Sequence, residues 1–517
     1  MKEKFYITTA IAYATNIPHI GNVYEAVLTD AIARFKRLEG YDVLFQTGTD
    51  EHGQKIADLA NTLGITPQKH VDNISNEIKR IYQLLDVSYD RFIRTTDKKH
   101  QDMVGKIFKR LYDQGDIFLG KYSGWYSVSE EAFIFDKELI EKGIGEAGDK
   151  LVWMEEETYF FNLGKYQERL LDHIKNNENF IIPESRKNEM VNNFLSAPLH
   201  DLSVTRTSLK WGIPTFNPQH VIYVWIDALA NYITTFDLDE NFTSQEFAKY
   251  WPADLHVIGK DILRFHTIYW PILLMALEMP LPKTIFGHPW ILIDKMKMSK
   301  SIGNTMYVDD LLKHFSKDTI RYYVLHEIPY AQDGNMTYEL IIERNNGDLA
   351  NTLGNLVNRT LGMINKYNKG IIYQATTKKE YDINLREEAI NVLPKMRLKM
   401  ADYKVGDALE EIMKLLRLAN KFIDLAEPWN LNKNQETTEL NGVLYELIET
   451  IRIAATLLRP FLPDTAEKIF KQLNIDVSDF GSTKEFGHYP NNHKPNEAFV
   501  LFERYDLVKK MEEILKR

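Results

Sequence analysis

Lys297-Met298-Ser299-Lys300-Ser301, followed by Ile302-Gly303-Asn304, sets two lysines with two residues between them on a short polar stretch. Such a pair can follow a polyphosphate as its charge moves, by positioning and charge stabilisation rather than covalent chemistry. Far upstream stands Pro18-His19-Ile20-Gly21-Asn22. A His and a Gly at a strand-to-helix turn lie where backbone N–H groups and the helix dipole favour phosphate. Gly21 lets a nucleotide approach the backbone. Either string alone reads as a solvated basic loop or a surface histidine. The two together, in this order and far apart in the chain, are much stronger evidence for a polyphosphate site than either alone.

Elements must hold these strings. Residues 5–13 are β-rich and largely apolar, as a buried parallel strand should be. After a break at 16–18, Val23, Ala26, Val27, Ala31, Phe35 and Leu38 recur at helical spacing, with Gly40 as a stop. Residues 42–47 form the next strand, and this βαβ start predicts a doubly wound, Rossmann-like α/β sheet. Its exit, Thr47-Gly48-Thr49-Asp50-Glu51-His52-Gly53, lies at the carboxyl edge where open α/β sheets bind ligands. Residues 116–215 break the rhythm with glycines and aromatics and read as an inserted β-containing subdomain. Strands are then expected at 221–225, 254–259 and 284–288, with a helix through Ile262, Phe265, Ile268, Tyr269, Leu273 and Leu274. Beyond 345, helical periodicity over 349–367, 396–425 and 443–458 predicts an α-helical bundle, with Pro394 just ahead of its second helix.

A chain of 517 residues is too long for one ordinary core. No apolar run approaches the ~18–20 residues of a membrane span. The start goes straight into an apolar strand without a signal-peptide core, so a cytoplasmic protein with no membrane partner is expected. Cysteine is absent, which excludes disulfides, thiolate zinc sites and cysteine nucleophiles. The net charge of -10 argues mildly against indiscriminate nucleic-acid coating, though not against a local basic face.

The two strings resemble the paired signatures of class I aminoacyl-tRNA synthetases, and the rest of the chain resembles the bacterial methionyl-tRNA synthetase family. The likeness spans nearly the whole sequence. It includes residues 48–53, Asp201-Leu202-Ser203-Val204-Thr205-Arg206-Thr207-Ser208, Lys210-Trp211-Gly212-Ile213-Pro214, Tyr223-Val224-Trp225-Ile226-Asp227-Ala228, Gly259-Lys260-Asp261-Ile262, Phe265-His266 and Glu427-Pro428-Trp429. Three departures stand out. Asn22 takes the place of the usual final His in the first signature. Ser127 and Ser129, in Gly124-Trp125-Tyr126-Ser127-Val128-Ser129, stand where relatives carry a zinc-binding Cys knuckle. The extra C-terminal module of some relatives has no room before Arg517, so a monomer is expected.

The resemblance implies ATP-dependent activation of L-methionine to methionyl-adenylate with release of pyrophosphate, then transfer to the 3′-terminal adenosine of tRNA(Met), initiator included. It implies domains over 1–115 and 216–294 (the two catalytic halves), 116–215 (the insert), 295–345 (the signature loop and stem-contact region) and 346–517 (the helical anticodon-binding domain). Pro18, His19, Gly21, Asn22, Lys297, Ser299 and Lys300 would hold ATP, with His19, Asn22, Lys297 and Lys300 catalytic. Mg²⁺ would travel with the phosphates, bound mostly by their oxygens and water. No zinc and no protein metal ligand is expected. Asp50 would meet the substrate ammonium; a turn or cap Asp is the plain alternative. Ala10, Ile11, Tyr13, Trp225, Ala228, Tyr232, Ile262, Phe265 and His266 would surround the methionine side chain, whose thioether suits an apolar, aromatic pocket. Asn351, Asn355 and Arg359, on one helical face, would read the CAU anticodon with Trp429 as a stacking plane. Read without the likeness, the pocket residues look like core and the Asn/Arg stripe like a wet face. A sibling synthetase for another apolar amino acid usually carries a larger editing insertion. A small-molecule nucleotidyltransferase leaves the helical third without a role, and a non-catalytic RNA-binding paralogue should have lost a lysine or His19.

Overall fold

The first strand, Lys4–Thr9, lies between two parallel neighbours, Asp42–Asp50 and Leu255–Gly259. Ala12–Tyr13 and Arg91–Arg94 flank Asp42–Asp50, and Ile285–His288 and Ile181–Ile182 extend the other side. All seven strands are parallel. The computed structural model describes residues 2–127, 132–134, 136–145, 148–298, 304–476 and 479–516.

Side-chain alternation explains why helices cover both faces. Phe5, Ile7, Phe45 and Val257 point into one core with the helix Ile20–Leu38. Tyr6, Leu44 and Ile258 point into another, with the helices Lys98–Asp113, Val224–Thr234 and Trp270–Ala276. The first core runs without interruption into the C-terminal helices, where Phe35 meets Phe480 at 5.4 Å.

Several expectations need correction. The strand expected over 5–13 stops at Thr9. The Ala10 N–H reaches the Glu25 carboxylate at 2.8 Å as well as the Val257 carbonyl at 3.2 Å, and the chain bends there before Ala12–Tyr13 rejoins the sheet. The strand expected over 221–225 is only Val221–Ile222; a helix starts at Val224. Tyr223, Val224 and Trp225 carry strand propensity, but burial of the following Ile226, Leu229, Ala230 and Ile233 on a helical face overrides it. The helix expected after Gly259 is a short 3₁₀ turn, a π-turn over Phe265–Tyr269 and then Trp270–Ala276.

The expected insert, 116–215, does not all lie outside the sheet, since Ile181–Ile182 forms its edge strand. The part outside is built on a long antiparallel pair, Ile117–Ser127 with Val152–Phe161, and Trp125 meets Trp153 edge-on at 5.5 Å. Ser127 Oγ donates to Asp149 at 2.8 and 2.9 Å, so the knuckle position is cross-linked by hydrogen bonds. Ser129 lies outside the described residues.

In the C-terminal third the first helical stretch opens with a π-segment, Asn345–Gly354, before Asn355–Asn368. The stretch expected over 396–425 is two helices, Leu385–Ala401 and Val405–Ala426. Tyr403, at φ 58°, turns the chain between them. Pro394 lies inside the first of these helices, not ahead of one. Among the described residues no helix is long and apolar enough to cross a membrane.

Candidate active site

His19 caps the helix Ile20–Leu38. Its Nδ1 accepts from Gly21 N at 3.1 Å, and its own backbone N–H donates to Asn22 Oδ1 at 3.3 Å. Asn22 thus closes a reciprocal capping box. Pro18 is buried just ahead and sets the chain's entry.

The second signature meets the first directly. A Cβ added at Gly21 would lie 3.1 Å from Met298 Cε, so glycine here makes room for the methionine. The Ile20 N–H donates to Met306 O at 2.9 Å. Lys297 is not on a loop. Ile291–Ile293 and Met296–Lys297 form a hairpin whose two turn residues, Asp294 and Lys295, have φ of 50° and 64°, as a type I′ turn demands. Its second strand, only two residues long, is too short to show strand periodicity in the sequence. Lys297 Nζ lies 3.8 Å from the Trp290 ring centroid, and Lys260 Nζ lies 4.1 Å from the same ring. Asn304 Nδ2 donates to Lys297 O at 3.2 Å and so brings together the two ends of the stretch that holds Ser299 and Lys300. Ser299 and Lys300 themselves lie outside the described residues.

The sequence-selected pocket residues come from four segments and meet at the carboxyl edge of the sheet. Tyr13 is the register partner of Asp50, and Ala14 N–H donates to Asp50 O at 2.8 Å. Ile11, Trp225 and Ala228 pack together with Tyr223. Ala10, Trp225, Ile262 and Phe265 line the edge of the core that contains Tyr232. The Trp225 and Phe265 rings stack at 3.4 Å with 7° between planes. Behind them, His266 Nδ1 donates to Ile262 O at 2.9 Å, since a carbonyl can only accept. Its Nε2 therefore accepts from the Tyr232 hydroxyl at 2.7 Å. Burial lowers the His266 pKa to about 4, so the ring is neutral, and burial lifts the Tyr232 phenol well above its ordinary value. The wall offers polarizable rings and no cation.

Glu25 escaped the sequence reading. Its carboxylate accepts from the backbone N–H groups of Ala10 (2.8 Å) and Gly259 (3.0 Å), and lies 3.0 Å from His288 Nε2. It thereby ties together the ends of three strands. Burial raises its pKa. Burial alone would lower that of His288, but the hydrogen bond and charge of Glu25, with the Pro289 carbonyl and the Asp261 charge, together outweigh it and the net shift is upward. The available signal was a carboxylate among the apolar positions of the first helix.

In the helical third, Asn351 and Asn355 are exposed, and Arg359 donates to Asp424 at 3.3 Å. Trp429, at the start of the helix Pro428–Lys433, is 42% exposed. Among the described residues no group of three or more His, Cys, Asp or Glu could hold a metal ion.

A family model described as tRNA synthetases class I (M) matches residues 5–146 and 137–361, and one described as the anticodon binding domain of methionyl tRNA ligase matches 372–504. Methionine–tRNA ligase of Clostridium acetobutylicum is 48% identical over 517 residues, all of this chain and 80% of that protein. The Bacillus subtilis ligase is 47% identical over 520 residues, 97% of this chain and 78% of that one. Among solved structures, Mycobacterium tuberculosis methionyl-tRNA synthetase in complex with methionyl-adenylate matches with a TM-score of 0.92 at 40% identity, covering 97% of this chain and 100% of that. Its apo form matches with a TM-score of 0.85 at 37% identity, covering 98% and 99%. With one family model over residues 5–146 and 137–361, another over 372–504, and a relative 48% identical along the whole chain, this protein belongs to the class I methionyl-tRNA synthetases.

Proposed function

We propose a division of the methionine–tRNA ligase reaction among the residues described above. The methionine carboxylate attacks the α-phosphorus of ATP, and pyrophosphate leaves. His19, Gly21 and the N–H groups that open the first helix cradle the phosphates. Lys297 and Lys300 neutralise the pyrophosphate as its charge grows, with Lys297 leaving Trp290 to do so. Asp50 takes the substrate ammonium, and Trp225, Ala228, Tyr232, Phe265 and His266 enclose the thioether. A hydroxyl of the terminal tRNA ribose then attacks the acyl carbon of the adenylate and AMP leaves. Magnesium would accompany ATP, held mostly by phosphate oxygens and water, and would help to offset the phosphate charge. In the same reading Asn351, Asn355, Arg359 and Trp429 read the anticodon of tRNA(Met), initiator tRNA included.

The observation that carries the reading is the seating of Met298 against Gly21, which sets the two phosphate-binding strings side by side. Amino-acid-dependent ATP–pyrophosphate exchange tests it. Exchange is expected with methionine and not with leucine or valine. Lys297→Ala should slow it on the order of 10²-fold while methionine binding, followed by tryptophan fluorescence, stays near wild type. A Lys297→Ala enzyme altered only in its KM for methionine would overturn the assignment.

A further inference from the structure

The pocket helix, Val224–Thr234, presents two distinct faces about 120° apart by the 3.6-residue period. One carries Trp225, Ala228 and Tyr232. The other carries Asp227, Asn231 and Thr234, a polar seam in the deepest part of the fold. Asp227 is fully buried and accepts from His52 Nδ1 at 2.6 Å and from His100 Nε2 at 2.7 Å. His100 Nδ1 lies 2.7 Å from Thr234 Oγ1. Gln46 Nε2 donates to Asn231 Oδ1 at 2.8 Å. His52 in turn lies edge-on to Trp211, whose indole N–H donates to Glu51 O at 2.6 Å. Burial works against the Asp227 charge, yet the two histidines hold its pKa below the ordinary carboxylate value, so it stays ionised.

We infer that His52, Asp227 and His100 are positioning residues that set how far Trp225, Ala228 and Tyr232 stand into the methionine pocket. An apolar helix can slide or rotate against apolar neighbours at small cost. A helix carrying a buried carboxylate cannot, because a shift would leave that charge without donors. The seam therefore fixes the register of the helix against the strand end that carries Asp50, while Phe265 and His266 close its other side. The inference rests on the reading of this face as the methionine pocket.

The test compares His52→Ala, His52→Asn, Asp227→Asn and, as a control on the pocket itself, Trp225→Ala, in ATP–pyrophosphate exchange. His52→Ala should raise the KM for methionine roughly tenfold or more and leave the KM for ATP within about twofold of wild type. His52→Asn, whose amide N–H can stand where Nδ1–H stood, should recover most of the loss. Should His52→Ala fail to fold, Asp227→Asn, which keeps the shape and removes the charge, should show the same selective rise in KM for methionine. Equal rises for methionine and ATP, or no recovery in His52→Asn, would overturn the inference. If Trp225→Ala leaves the methionine KM unchanged, the pocket reading itself fails; if Trp225→Ala raises it and the seam variants do not, only the positioning role fails.

Discussion

His266 is the residue whose chemistry is narrowest. Its two ring nitrogens are committed, Nδ1 as donor to Ile262 O and Nε2 as acceptor from Tyr232. Protonation would turn Nε2 into a donor and remove the acceptor that the buried Tyr232 O–H now uses. Burial lowers its pKa from 6.5 to about 4. A group depressed in the folded state contributes stability that is present above its unfolded pKa and lost as pH falls through the folded one. The window is therefore from 6.5 down to about 4, with a limiting slope of about 1.4 kcal/mol per pH unit. Urea unfolding of wild type and His266→Gln should show a stability gap that narrows as the pH is lowered through this window. A gap that stays constant across it would refute the buried neutral ring.

At the scale of elements, what matters is which helix ends and strand ends are held and which are offered to solvent. Glu25 gathers three strand ends beneath the first signature, and the hairpin carrying Lys297 brings the second over it. The helix Pro428–Lys433 does the opposite and presents Trp429 outward. A tryptophan this exposed contributes little to the bundle core. Trp429→Ala is thus expected to keep the melting temperature and ATP–pyrophosphate exchange near wild type. Aminoacylation should fall roughly tenfold to a hundredfold in kcat/KM, since one stacked base is worth ~1–3 kcal/mol. Measuring both reactions and the melting temperature on one preparation decides the matter; equal losses with a lowered melting point would sink the anticodon role.

At the scale of the whole molecule, one buried side chain joins catalytic sheet and helical third. Arg321 is fully buried; its guanidinium donates to Leu85 O and Phe461 O at 2.8 Å each, to Pro460 O at 3.3 Å and to Asp30 Oδ2 at 2.8 Å. Asp30 lies on the helix that begins at His19, while Pro460 and Phe461 follow the helix Thr437–Leu458. Removing one partner of a buried pair is strongly destabilising, on the order of 3–5 kcal/mol. Arg321→Ala should lower the stability of the whole chain by about this amount in urea unfolding, with exchange per folded molecule retained. A loss under about 1 kcal/mol would mean the joint is held by apolar packing alone.

The sequence by itself determined what each region is made for. Val43, Leu44 and Phe45 mark residues 42–47 as a sheet strand; the lysine pair and the His-Gly turn suit a polyphosphate; the periodicity past 345 suits helices. These are local properties, set by side-chain spacing and backbone preference. What it left open depends on contacts between distant segments. Tyr223-Val224-Trp225 reads as strand because local propensity favours it, and only the surrounding core makes it helix. Lys297 reads as loop because its strand, Met296–Lys297, is two residues long and too short to show a period of two. Glu51 and His52 had no role in the sequence; in the fold Glu51 O receives the Trp211 indole and His52 meets Asp227, 175 residues away. Glu25 likewise gains its meaning only when three strand ends and His288 converge on it. Spacing along the chain reports which way a side chain faces, but the partner that satisfies a buried charge is chosen by the tertiary structure alone.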